Sequence, residues 1–176
     1  NSGIYHQLPT YTTLGYRENG VLANQNDNVK YIRNMHLVGG FDFTGIENSK
    51  ISVEWFYKDY NNYPFSVKDS ISLANVGGDF GVVGDEAITS IGEGQTYGLE
   101  LLYQQKLTKG FYGLASYTLS WSEFEDNNGK LIPSSWDTRH IFNLTAGKKF
   151  KRNWELGAKW RFSSGSPYTP YDVSTS

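Results

Sequence analysis

Few side chains in this 176-residue chain are spaced for chemistry, and each candidate also has a plainer reading. Asp137, Arg139 and His140, with Ser134 and Ser135 just upstream, supply the residue types of a hydrolytic centre. A nucleophilic triad is defined by geometry across a fold, and adjacency in sequence does not mark one. An Asp–Arg pair at the polar start of a strand, near an outer rim, accounts for the same residues. Asp126-Asn127-Asn128-Gly129 could offer oxygens to calcium, but it lacks the later acidic ligand of an EF-hand loop. An Asn-Gly turn at a loop tip explains it. Gly92, Gly94 and Gly98 depart from the G-x-G-x-x-G spacing and lead into a strand, so they read as a flexible loop. His6 sits in a loop with no second ligand nearby. His36, grouped with Asn34, Gly40 and Asp42, reads as polar lining and not as a metal ligand. Asn143-Leu144-Thr145 has the form of a glycosylation acceptor but falls in mid-strand. The chain has no cysteine, which removes disulfides and thiolate metal sites. The expectation is a protein with no catalytic residue, no cofactor and no metal site, and therefore not an enzyme.

Composition limits the elements that could position anything. Aromatics reach 16%, with 13 Tyr, 10 Phe and 5 Trp, beyond what the core of one ordinary domain needs. Such residues favour pleated, half-buried surfaces, and Tyr and Trp also suit a membrane interface. A net charge of −2 speaks against a nucleic-acid partner. No apolar run is long enough for a transmembrane helix. A mean hydropathy of −0.52 fits a soluble protein, but also a barrel in which only alternate residues meet lipid.

Period-two alternation predicts six strands. They run from Val29 to Phe43, Lys50 to Val67, Gln95 to Leu107, Phe111 to Phe124, Arg139 to Phe150 and Trp154 to Ser163. The last is the clearest, with Trp154, Leu156, Ala158, Trp160 and Phe162 on one face. Its other face carries Glu155, Gly157, Lys159, Arg161 and Ser163. Three features favour a membrane barrel over a soluble sandwich. The strands reach about 10 residues, as a tilted spanning strand requires. Connections alternate between short and long, like periplasmic turns and extracellular loops. Aromatics gather toward both ends: Phe41, Phe43, Phe111, Phe150 and Trp154 by the short turns, and Tyr57, Tyr60, Tyr63, Trp121, Phe124, Trp160 and Phe162 by the long loops. The expected fold is all-β, an antiparallel up-and-down transmembrane β-barrel. Residues 1–176 form an incomplete segment of it, because barrels of this kind start at about 8 strands.

The order of short motifs resembles the C-terminal part of the β-barrel of TonB-dependent outer-membrane receptors. Gly3-Ile4-Tyr5-His6-Gln7-Leu8-Pro9 resembles the stretch where a strand leaves the membrane for an outer loop. Glu54-Trp55-Phe56-Tyr57-Lys58-Asp59-Tyr60 is similar to an aromatic upward strand, and Gly94-Gln95-Thr96-Tyr97-Gly98-Leu99-Glu100 to the start of a downward one. Ser116-Tyr117-Thr118-Leu119-Ser120, Trp136-Asp137-Thr138-Arg139-His140-Ile141-Phe142-Asn143-Leu144 and Ser164-Gly165-Ser166-Pro167-Tyr168-Thr169-Pro170 follow in the family's order.

The resemblance implies a large barrel, of 22 strands in such transporters, with a plug in its lumen. It implies no cofactor, and a place in the outer membrane of a Gram-negative bacterium. Outer loops and plug would catch a scarce nutrient, and the inner-membrane TonB complex would drive its import. The implied partners are outer-membrane lipid, the receptor's own plug domain and remaining strands, and TonB through an N-terminal region outside this chain. A surface-exposed substrate-binding lipoprotein is a further candidate. Ligand contact falls to long-loop residues Tyr11, Tyr16, Arg17, Phe80 and Trp136. The polar strand residues Glu54, Lys58, Glu100, Gln104, Lys159 and Arg161 read as lumen-lining or plug-facing, since charge is tolerated there and costly toward lipid. Two other classes stay open: a secreted, aromatic-rich β-sandwich that binds carbohydrate, and a structural or adhesive outer-membrane barrel. Iron chelate, vitamin, oligosaccharide and peptide ligands are equally compatible with the loops.

Overall fold

The computed structural model describes residues 1–25, 29–77 and 82–167. The six expected strands are present as β4 (Ile32–Phe43), β5 (Ser49–Ser66), β6 (Ile88–Thr108), β7 (Phe111–Glu125), β9 (His140–Lys149) and β10 (Glu155–Ser163). β1 (Ser2–Gln7) falls on the Gly3–Pro9 stretch that resembles a strand leaving the membrane, whereas the hairpin of β2 (Arg17–Glu18) and β3 (Val21–Leu22), and β8 (Leu131–Pro133), are marked by no sequence pattern. A short helix, α1 (Tyr11–Gly15), follows β1 and is capped by Thr10. The main sheet runs β1-β4-β5-β6-β7-β9-β10, antiparallel throughout, with β8 added to β7. It is an open meander.

The largest departure from expectation is β6, which begins at Ile88 and not near Gln95. Its extra length pairs with Tyr63, Phe65 and Ser66 of β5 across two register shifts. Gly92 and Gly94, read from sequence as loop, lie inside this strand because neighbours press on them. A Cβ on Gly92 would stand 2.8 Å from the Tyr63 carbonyl oxygen, and one on Gly94 would run into the Phe124 ring.

The short connections are tight because their residues accept left-handed backbone. Lys109 and Gly110 turn β6 into β7 with φ of 50° and 84°, and Arg152 and Asn153 turn β9 into β10 with φ of 63° and 61°. Asn48 does the same between β4 and β5, where the Ser49 N–H donates to the Ile46 carbonyl at 3.1 Å.

Register carries the alternation across the whole sheet. Phe41, Val53, Leu101, Tyr117, Phe142 and Phe162 lie opposite one another in a row from β4 to β10. On the other face, the next row reads Gly40, Glu54, Glu100, Thr118, Ile141 and Ser163. One face of the sheet is therefore apolar and the other predominantly polar, which a one-residue slip in any strand would scramble. Tyr97 and Trp121 stack at 5.4 Å on the apolar face, toward the long connections. Tyr60 and Phe124 were expected in the same aromatic belt, but register puts them on the polar face. Phe124 is only 1% exposed, so its surroundings are protein.

Candidate functional site

The buried residues of this chain concentrate at the long-connection end, where three connections fold together over the polar face. The first is held by Asn24, whose side-chain amide donates to the carbonyls of Thr13 and Glu86, 2.7 Å each. Its oxygen accepts from the Ile88 N–H at 3.0 Å. One buried side chain thus ties the β1–β4 connection to the segment entering β6. The second is held by Ser135, whose N–H and hydroxyl both donate to the Ala74 carbonyl, and by Asn75, which donates to the Phe124 carbonyl at 3.3 Å. The third centres on Ser122. Its N–H donates to Asp137 Oδ1 at 3.1 Å, and its hydroxyl oxygen receives the Trp136 indole N–H at 3.1 Å. Asp137 Oδ2 takes the Arg139 guanidinium at 2.7 Å, and Arg139 lies 5.2 Å from the Trp121 ring.

Beneath this cap a single cross-strand row, Tyr5, Asn34, Tyr60, Gly94 and Phe124, forms a floor from β1 to β7. Phe124 is the hub of an aromatic cluster, with ring centroids 4.7 Å from Tyr63, 5.3 Å from Tyr60 and 6.0 Å from Trp136. Floor and cap line a partly open cavity of about 640 Å³, in the size range of ligand pockets. Asp, Glu, Lys and Arg are missing from its described lining. Two buried atoms of the lining, Asn34 Oδ1 and His36 Nε2, have no hydrogen-bond partner among the described residues. His36 rests on Tyr5, ring centroids 4.6 Å apart. Ring faces and neutral polar groups make up the described lining of this space.

Sequence-marked residues fall in different places. Trp136 lines the cavity. Tyr11, 89% exposed, opens α1 outside the lining. Arg17 donates to the Gly20 carbonyl at 2.9 Å, so its guanidinium braces its own hairpin, which Tyr16 precedes. Phe80 lies outside the described residues. Register places Glu54, Lys58, Glu100, Gln104, Lys159 and Arg161 together on the polar face. The hydrolytic candidates do not converge: Asp137 holds Ser122 and Arg139, His140 Nδ1 meets the Tyr117 hydroxyl at 2.8 Å, and Ser134 donates to Ser122. The Asp126 carboxylate accepts the N–H groups of Asn128 and Lys130 and so closes its own turn.

Asn24, Asn34, Tyr60, Tyr63 and Phe124 did not stand out in sequence as site residues. The one signal was the cluster of aromatics toward the outer ends of β5 and β7. It marks the cavity only once register shows that Tyr60 and Phe124 turn away from the apolar face.

Residues 5–176 match the family model described as TonB dependent receptor-like, beta-barrel. The chain belongs to this family. No curated protein matches it. The family's members are outer-membrane barrels of Gram-negative bacteria, receptors and transporters and not enzymes, with a plug and a TonB interaction. The soluble sandwich reading is thereby set aside.

Proposed function

We propose that this TonB-dependent receptor barrel takes up a scarce nutrient, binding it at the extracellular end and admitting it past a lumenal plug when TonB acts. The observation that carries this reading is the cavity, which lies on the polar face directly under the folded long connections. A ligand arriving from outside meets that end first. In this reading the apolar rows face lipid, and the polar rows carrying Glu54, Lys58, Glu100, Gln104, Lys159 and Arg161 face plug and water. Further strands pair with the free edges of β1 and β10 to close the barrel, because unpaired backbone is not tolerated in lipid. Trp136 contacts the ligand, while Tyr11, Tyr16 and Arg17 meet it at the mouth.

The test compares two deletions in the source bacterium, one of the receptor and one of TonB, during growth on limiting ferric chelates, cobalamin, oligosaccharides or peptides. Both deletions should remove uptake of the same nutrient, and the intact receptor should restore it. Wild-type uptake of every class by the receptor deletion would refute the proposal.

A further inference from the structure

One cation stands out on the apolar face. Lys148 of β9 shares that face with Phe142, Leu144 and Ala146, at alternate positions of the same strand. Register sets it opposite Phe111 of β7 and Leu156 of β10. Its ammonium lies 4.5 Å from the Phe111 ring centroid and 5.3 Å from that of Phe150. β9 has a strand on either side, so these neighbours do not depend on strands outside the chain. The Lys148 ammonium joins none of the ion pairs among the described residues.

The inference rests on the lipid-facing part of the reading above and stands whatever nutrient is carried. A lysine on a lipid face is costly in the hydrocarbon and tolerated near the interface, where its stem covers apolar surface and its head reaches the polar layer. Ring faces offset part of the cost. A headgroup phosphate supplies the counter-charge that the sheet does not.

The surroundings favour a headgroup with net negative charge. The β6–β7 and β9–β10 turns lie side by side, joined where the Lys149 N–H donates to the Gly110 carbonyl at 2.7 Å. Residues 106–111 and 148–156 carry Lys106, Lys109, Lys148, Lys149, Lys151 and Arg152 against a single carboxylate, Glu155. Glu155 is engaged on the polar face, by the Tyr112 hydroxyl at 2.8 Å and by Lys149 at 3.9 Å. At the long-connection end the apolar face sets Arg33 against Asp59 and Glu123, so the surplus of cations belongs to the short-turn end. Short turns of outer-membrane barrels face the periplasm, which puts Lys148 level with the inner leaflet. Each basic group near a bilayer surface adds to the attraction for anionic lipid.

We propose that Lys148, with the turn cations Lys109, Lys151 and Arg152 beside it, binds the phosphate of an anionic phospholipid in the inner leaflet, whose acyl chains lie along the Phe111–Leu156 surface.

The test uses the intact receptor purified in detergent, with retained lipid counted by native mass spectrometry after exposure to phosphatidylglycerol, phosphatidylethanolamine or lipid A. Phosphatidylglycerol should be retained at lower concentration than the other two. Lys148→Met should weaken its retention roughly fivefold, the effect of one basic group at a membrane surface, and Lys148→Arg should preserve it. Met keeps an unbranched stem and adds apolar surface toward lipid, so this variant should refold like the parent. Lys130→Met removes the same charge from the long-connection end and should leave retention unchanged. The proposal is overturned if phosphatidylethanolamine or lipid A is retained equally well, if Lys148→Met binds like the parent, or if Lys130→Met weakens retention as much. A wrong facing assignment has a different signature, because Ala158→Arg would then refold into bilayers as well as the parent. If Ala158→Arg fails to insert while retention ignores Lys148, the facing holds and the lipid site falls. Failure of the transport reading, seen as unchanged nutrient uptake in the receptor deletion, would leave the Lys148-dependent retention intact.

Discussion

Asp137 is 4% exposed and holds two things at once, the Ser122 N–H and the Arg139 guanidinium. Replacing it with Ala would leave a buried N–H without its acceptor and strip Arg139 of its counter-ion. Charge-assisted bonds of this kind contribute about 1.5–3 kcal/mol each, and the partial exposure of Arg139 places the ion pair at the lower end. We expect Asp137→Ala to destabilise the cap by about 2 kcal/mol and to speed proteolysis of the 126–138 segment on intact cells. Asp137→Asn, which keeps the acceptor for Ser122, should do so less. Asp126, half-buried at the start of its turn, behaves differently. Its carboxyl is held below its ordinary value, first by the Lys130 N–H and then by that of Asn128. A depressed carboxylate stabilises its turn above the unfolded pKa, and that contribution is lost as pH falls through the folded one. Protease sensitivity of this turn should therefore rise only in acid, below the ordinary carboxylate range, and Asp126→Asn should abolish the pH dependence. A turn equally sensitive at neutral and acid pH would contradict the assignment.

At the scale of elements, the sheet was largely legible and the cap was not. β10 shows Trp154, Leu156, Ala158, Trp160 and Phe162 at alternate positions because one solvent acts along its whole length. β1 and the first residues of β6 show no such pattern, because their environment changes where the connections fold over them. The cap is assembled largely from small and polar residues such as Thr13, Asn24, Ser66, Ser72 and Ser134, all buried. Their burial depends on backbone partners that are distant in sequence, as Asn24 is from Glu86 and Ile88, and no periodicity records such partners. The faces of the strands give a direct comparison. Ala158 lies opposite Ala146 in the apolar face, whereas Gln104 lies opposite Lys50 in the polar one. Arg at a lipid-facing mid-strand position costs about 2–4 kcal/mol, while lumenal substitutions are tolerated. Ala158→Arg in the intact receptor should thus lower refolding yield into bilayers sharply, and Gln104→Arg should leave it near the parent. Equal yields would reverse or remove the facing assignment.

For the whole molecule, the instructive feature is a pairing that the sheet alone does not explain. Glu54 and Glu100 stand directly opposite each other on neighbouring strands, and like charges in that position repel. Neither forms an ion pair among the described residues, where the pairs are Lys50–Asp42, Arg139–Asp137 and Lys149–Glu155. A barrel with water in its lumen would be more stable with neutral side chains here. A barrel whose plug presents a cation at this level would not, because the two carboxylates then serve as its counter-charge. The two situations predict opposite signs for one double variant, Glu54→Gln with Glu100→Gln. In the receptor with its plug deleted, the variant should raise barrel stability by a fraction of the roughly 1 kcal/mol typical of cross-strand pairs, read from the urea midpoint of unfolding in micelles. In the complete receptor it should lower stability and let the plug be extracted at lower denaturant concentration. High salt should shrink both effects if the carboxylates act through charge. The same sign in both forms would mean that this face does not meet the plug through these residues, leaving the polar rows as lining for water alone.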